Sequence, residues 1–278
     1  RPGAPEGERF ALFVRPRDPA QEVWPGHRAG VEGARARHGA DVAFVVDSLD
    51  AVLGRWLAET DVVWFDAPED HPWSVDSLGA LLERWAGAAA GREIRDADQI
   101  SNELRLIKSD AELAYLQKAI DITTDAQKAA MAAIRPGMHE YEAEAVIEYV
   151  FRVQGSPRIG FNSIVGSGPN STILHYEEND RRMEADDMVV MDIGTEWAYY
   201  TADVTRTVPV DGEFSAEQAA IYQIVLDAQN AGIAAVRPGE TIRGIHLAAT
   251  REVVAGLIGV GILSGTVDEN LESGAYRR

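Results

Sequence analysis

Short apolar runs alternate with amphipathic ones over the first hundred residues. Phe10 to Val14, Val42 to Val46 and Val62 to Phe65 are apolar and rich in β-branched or aromatic side chains, which predicts strands. Leu49 to Leu57 and Val75 to Ala90 carry apolar positions at helical spacing. The alternation predicts a small α/β domain over residues 1–97 with a mainly parallel sheet. Asp96 to Asn102 is polar and without strong periodicity, so a second domain is expected over 98–278.

The second domain opens on Ser109 with Glu112 three residues on, a capping box that predicts a long helix to about Ile134. Arg135-Pro136-Gly137 ends it, and another helix is predicted from Glu140 to Val153, with Glu142, Glu144 and Glu148 on its solvated face. The pattern recurs: Ala132-Ala133-Ile134-Arg135-Pro136-Gly137 is echoed by Ala234-Ala235-Val236-Arg237-Pro238-Gly239, at the end of a predicted helix over Ala216 to Ala235. A domain of two similar halves follows, each a helix pair with a sheet, and a site is expected where they meet.

Between the two copies lies Met188 to Val208, two strand-like runs with one aspartate in each, Asp192 and Asp203. Paired as a simple antiparallel hairpin with these two facing, the runs would turn at Trp197 and Ala198, and the carboxylates would be cross-strand neighbours roughly 5 Å apart at Cβ. Like charges facing each other among Val189, Val190, Met191, Ile193 and Val204 are costly without a cation between them. Arg206 has the wrong side-chain parity, so one or two hard divalent metal ions are the expected partner. Gly194 is a candidate bulge, and a slip of one residue would put the carboxylates on opposite faces. A solvated pair of aspartates near a turn is the plainer alternative.

Asn162 to Val165 and Thr172 to Tyr176 predict a second hairpin about Gly166-Ser167-Gly168-Pro169-Asn170, a turn with no following helix, no lysine and a proline that removes a donor, so it does not bind phosphate. His175 would lie on its second strand beside the aspartate hairpin, where an imidazole could bond a substrate or move a proton. The other five histidines of the six have no comparable setting. Of the six tryptophans, Trp24, Trp56, Trp64, Trp73 and Trp85 read as core or interface.

Composition narrows the choice. With 45 acidic against 26 basic residues in 278, the formal charge of −19 disfavours nucleic acid and anionic membranes. There is no cysteine, which excludes disulfides and thiol chemistry, and no apolar run long enough for a membrane span. No leader is evident, so a cytoplasmic protein is expected. The chain opens on Arg1 and closes on Tyr276, Arg277 and Arg278 without an evident terminating element, which suggests a fragment at both ends.

NSIVGSGPNSTILHYEEND, VVMDIGTEWAYYTADVTRTVPVDGEFS and the Arg-Pro-Gly repeat, in this order and spacing, closely resemble the Xaa-Pro aminopeptidases of the pita-bread metallopeptidase superfamily. The resemblance implies an α/β N-terminal domain, present in part, followed by an α+β pita-bread (creatinase/aminopeptidase) domain incomplete in its C-terminal half. It implies two divalent ions, usually manganese, with Asp192 on one metal and Asp203 bridging both, and His175 contacting substrate and assisting proton transfer. The substrate it implies is a peptide with proline in second position; a homo-oligomer is expected at full length. Three further ligands, a histidine and two glutamates, are expected beyond the chain's end, so the chain alone is expected to bind metal weakly and to be inactive. Prolidase, which cuts dipeptides, and a non-catalytic protein-binding module of the same fold are the alternatives.

Overall fold

The computed structural model describes residues 1, 3–24, 26–65 and 93–277, and its contacts divide the chain into two units, Arg1–Lys108 and Ser109–Arg278. In the first unit the three strands predicted from apolar runs form, joined by a fourth that no apolar run announced, and they pair in parallel: β1 (Ala11–Val14) with β2 (Val42–Val45), and β3 (Val62–Phe65) with the unpredicted β4 (Glu93–Asp96). Helices α1 (Pro19–Glu22), α2 (Gly30–His38) and α3 (Leu49–Ala58) accompany them. α3 turns Trp56 onto the sheet, where its ring meets Phe13 and Phe44 edge-on at 6.0 and 5.7 Å. Trp24, expected in a core or interface, is exposed. The helix predicted over Val75 to Ala90, with Trp73 and Trp85, lies outside the described residues.

The polar stretch read as a boundary is itself helical, α4 (Asp98–Leu106). Its apolar residues Ile100, Leu104 and Leu106 are all exposed, so no buried stripe betrays it in the sequence.

In the second unit Ser109 and Glu112 close the capping box that opens α5 (Asp110–Ala133), and α6 (Glu140–Val153) follows the Arg-Pro-Gly turn. Gly137 sits at φ +88° there, a conformation that side chains avoid, and Gly239 repeats it at +87° after α7 (Ala216–Ala235). α8 (Ile242–Gly259) and α9 (Val267–Ser273) complete the unit. β5 (Ile164–Ser167), β6 (Met188–Ile193) and β9 (Val204–Pro209) make an antiparallel sheet with β6 in the middle. Val189, Met191 and Ile193 of β6 alternate inward and pack with Ile122, Ala126 and Ala130 of α5 and Ala143, Ile147 and Phe151 of α6.

The register differs from the simple hairpin. Asp192 faces Thr205 and Ile193 faces Val204, and the same pairing continues beyond Gly194 through β7 (Glu196–Trp197) and β8 (Tyr200–Thr201). The turn therefore falls one residue later, on Ala198 and Tyr199, both left-handed at φ 51° and 68°. Because the ladder holds one register on both sides of Gly194, no residue is inserted there. The glycine is needed for a different reason: a Cβ on it would overlap the Ala202 carbonyl oxygen.

The second expected hairpin does not form. After β5 the chain tightens into a 3₁₀ turn, Gly168–Thr172, and Thr172 to Tyr176 is not a strand. Ser171 and Thr172 donate their hydroxyls back to the Gly168 and Pro169 carbonyls, which stabilises the local turn against an extended ladder.

Candidate metal centre

Asp192 belongs to the face of β6 turned away from α5 and α6, since its neighbours Met191 and Ile193 are the ones buried in the core. The register error relative to the simple hairpin is two residues, an even slip, so Asp203 keeps the same face and stands one diagonal step from Asp192. The side chains meet. Asp203 has its carboxyl pushed above the usual carboxylate range by partial burial, then by the charge of Asp192 and a hydrogen bond between the two groups. Asp192 Oδ1 is buried and has no hydrogen-bond partner.

No basic group answers this charge from the strand itself. Arg206 faces Met191 across the ladder and donates to the Thr205 carbonyl at 2.7 Å. Two adjoining carboxyls and an unpartnered oxygen are the donor set a hard divalent cation takes, so the residues present fit a metal ion. They are also short of a full shell: among the described residues no group of three or more His, Asp or Glu side chains is placed to hold one.

His175 does not join the pair in that sense. It is exposed, in the turn that follows the 3₁₀ segment rather than on a strand. What fixes its surroundings is the next residue. Tyr176 is buried and donates its phenol to Glu140 Oε2 at 2.7 Å, which, with burial as the larger cause, raises its pKa to about 12.

Glu140 was not singled out by the sequence, yet it is wholly buried at the start of α6. Its Oε1 accepts from the Ser167 amide and hydroxyl, both at 2.7 Å, and its Oε2 accepts from the Arg181 amide at 2.9 Å as well as from Tyr176. These four short bonds, a longer one from the Asn170 side-chain amide at 3.5 Å and a helix N-terminus make a buried carboxylate tolerable. Glu144, expected on a solvated face, accepts from Asn179 at 3.0 Å, and Glu148, also expected there, accepts from Ser163 at 3.3 Å. Burial, then the charge of Glu144, raises the pKa of Glu148. Only Glu142 keeps an expected exposed place, bonded to the His139 amide as a cap. The sequence held one signal for this network: Glu140, Glu144 and Glu148 share a helical face four residues apart.

Comparison with known proteins bears on the whole chain. Residues 114–271 match the model of metallopeptidase family M24, and residues 2–64 match the N-terminal domain of aminopeptidase P. The Xaa-Pro aminopeptidase of Haemophilus influenzae is 38% identical over 98% of this chain and 61% of its own length. That of Escherichia coli is 36% identical, with 96% and 61% covered. Among solved structures, aminopeptidase PepP of Pseudomonas aeruginosa superposes with a TM-score of 0.89 at 36% identity, covering 96% of this chain and 61% of that one. A variant of Escherichia coli aminopeptidase P in complex with substrate gives 0.89 at 36% identity, with 96% and 62% covered. This chain thus spans about 61% of the length of the relatives it matches. The expected fold class stands, an aminopeptidase P N-terminal domain followed by a pita-bread domain. With its peptidase-domain match covering more than half of the sequence, the chain belongs to metallopeptidase family M24.

Proposed function

We propose that this chain carries part of the active site of a dinuclear, metal-dependent aminopeptidase that hydrolyses the bond between an N-terminal residue and a following proline. The observation that carries the reading is the pairing of Asp192 and Asp203 on one face of the sheet, with Asp192 Oδ1 buried and unpartnered. The relatives that cover nearly the whole chain are described as Xaa-Pro aminopeptidases. Solved variants of the Escherichia coli enzyme include two with aspartates replaced eleven residues apart, the separation of Asp192 and Asp203.

In this reading Asp192 and Asp203 would together hold the divalent ions from one face of the sheet. Carboxylate oxygens favour hard cations, which supports Mn²⁺ as the native ion; a zinc-substituted form is known for the Escherichia coli protein. Bound there, the ions supply Lewis acidity toward the scissile carbonyl and activate water. His175, exposed on its turn, bonds the substrate and carries a proton, while the bond from Tyr176 to Glu140 keeps its backbone in place. A cytoplasmic setting and homo-oligomeric assembly extend the reading to the longer protein. Among the described residues no helix is long and apolar enough to cross a membrane.

The test is calorimetric and kinetic. Titrated with Mn²⁺, this chain binds weakly and cleaves no Xaa-Pro peptide, because two carboxylates leave the shell unfilled. Tight two-site binding with turnover would refute the incomplete site. A longer form bearing the remaining ligands cleaves Xaa-Pro tripeptides; activity confined to Xaa-Pro dipeptides would make it a prolidase instead, and no cleavage of either would sink the reading.

A further inference from the structure

Gln127 is an amide in the middle of an apolar helix face. It is 3% exposed, flanked on α5 by the buried Ile122, Ala126 and Ala130. Both of its donors are used: Nε2 gives hydrogen bonds to the Met191 carbonyl at 3.0 Å and the Val204 carbonyl at 2.7 Å. Met191 immediately precedes Asp192 on β6, and Val204 immediately follows Asp203 on β9. One side chain therefore spans the two strands at the two aspartates. Thr123, one helical turn earlier and fully buried, accepts from the Thr195 amide at 3.1 Å, a third tie on the same hairpin.

The arrangement has a cost that packing does not explain. Gln127 Oε1 is buried and has no partner, so the amide carries a desolvation cost that its two Nε2 bonds to the strands must offset. The repeat extends back to this position, QKAAMAAIRPG over 127–137 against QNAGIAAVRPG over 229–239, so a glutamine stands at the same place in both copies. In the first copy what it holds is the hairpin.

We propose that Gln127 is a positioning residue for the metal pair, acting from the core side of the sheet to fix the spacing of Asp192 and Asp203 on the other side. The proposal rests on the metal-site reading above. Outer partners that orient ligands typically govern affinity by about tenfold or more when removed.

The experiment compares the chain with Gln127→Met, which keeps the volume and removes the donors, and with Ile147→Ala, a truncation on α6 in the same core that costs stability and leaves both Gln127 donors in place. Mn²⁺ affinity is read by water-proton relaxation, which registers weak binding, and amide hydrogen exchange is read at Asp192, Ile193, Val204 and Thr205. The expected result is Mn²⁺ binding weaker by about tenfold in Gln127→Met, with faster exchange at those four amides and an unchanged α6. Ile147→Ala stays within about twofold of the parent affinity, small beside that outer-partner effect. Parent-like affinity in Gln127→Met, or equal weakening in both variants, overturns the proposal. If Gln127→Met does not fold, Gln127→Asn, too short to reach both carbonyls, is judged by the same readings. A parent chain that takes up no Mn²⁺ counts against the metal-site reading, and the exchange data then decide: retained protection in Gln127→Met overturns the tie itself.

Discussion

Tyr176 and Glu140 meet at 2.7 Å inside the second unit, where the phenol donates to a carboxylate that no water reaches. Removing that hydroxyl leaves Glu140 Oε2 with the Arg181 amide as its remaining short partner. Tyr176→Phe is therefore expected to cost about 1–3 kcal/mol, measured by urea denaturation at pH 7. The pH dependence has a definite sign. The folded pKa of Tyr176 is raised from 10.0 to about 12, so the proton is held more tightly in the folded state; the contribution is full below pH 10 and is lost as pH rises toward 12. Stability of the parent should fall more steeply over that window than stability of Tyr176→Phe. Parallel slopes would show that the phenol is not held as the structure has it.

Gly194→Ala tests the close approach inside the hairpin. The added Cβ would overlap the Ala202 carbonyl oxygen and lie 2.7 Å from the Phe161 ring, and backbone cannot rotate aside as a side chain can. A loss of about 3 kcal/mol is expected in chemical denaturation, at the upper end for overpacking. Mn²⁺ binding should weaken with it, because Gly194 faces Asp203 in the register of the ladder. An alanine variant of parent stability would mean that the strands lie further apart.

How much of this was legible in the sequence depends on which interactions are local. Helices α5, α6 and α7 follow from the Ser109 capping box, helical spacing and the two Arg-Pro-Gly turns, since caps and glycine turns act within a few residues; the Ser215 cap that opens α7 is seen in the structure alone. The pairing of Asp192 with Asp203 was legible as a shared face, because parity survives a two-residue slip. The exact register was not. It depends on Ala198 and Tyr199 accepting positive φ, which residue type disfavours, while Arg158 stacks 5.1 Å over the Tyr199 ring and bonds Glu196 at 2.7 Å. His175 was misplaced onto a strand because Leu174 and Tyr176 flank it with apolar character, yet Leu174 is 88% exposed and Tyr176 is drawn in by Glu140, 36 residues away. Contacts at that separation leave no periodic trace.

Ala198 offers a stabilising change. At φ 51° its Cβ crowds the backbone, a strain of about 1–2 kcal/mol per residue that glycine does not suffer, against about 0.5–1 kcal/mol of extra chain entropy. Ala198→Gly should raise stability by about 0.5–1 kcal/mol. Tyr199, at φ 68°, should not respond in the same way, because its ring lies under Arg158 and truncation removes that contact. Thermal melts of the two glycine variants side by side check the contrast; equal stabilisation of both would remove Arg158 from the account of the turn.

Asp203→Asn separates the cost of the acidic pair from its use. In the metal-free chain two carboxyls adjoin, and Asp192 Oδ1 already lacks a partner, so an amide in place of one carboxyl relieves repulsion and offers a donor. The variant should be as stable as the parent or more stable by up to about 1 kcal/mol without metal, a surplus common where function keeps a strained group. With Mn²⁺ the order reverses. The parent gains stability in proportion to the logarithm of ion concentration above its dissociation constant, and the variant, lacking one carboxylate of the pair, gains none. Melting curves across a Mn²⁺ series show whether the lines cross. Parallel lines, or a variant destabilised at every concentration, would mean that the pair is held for the fold and not for an ion.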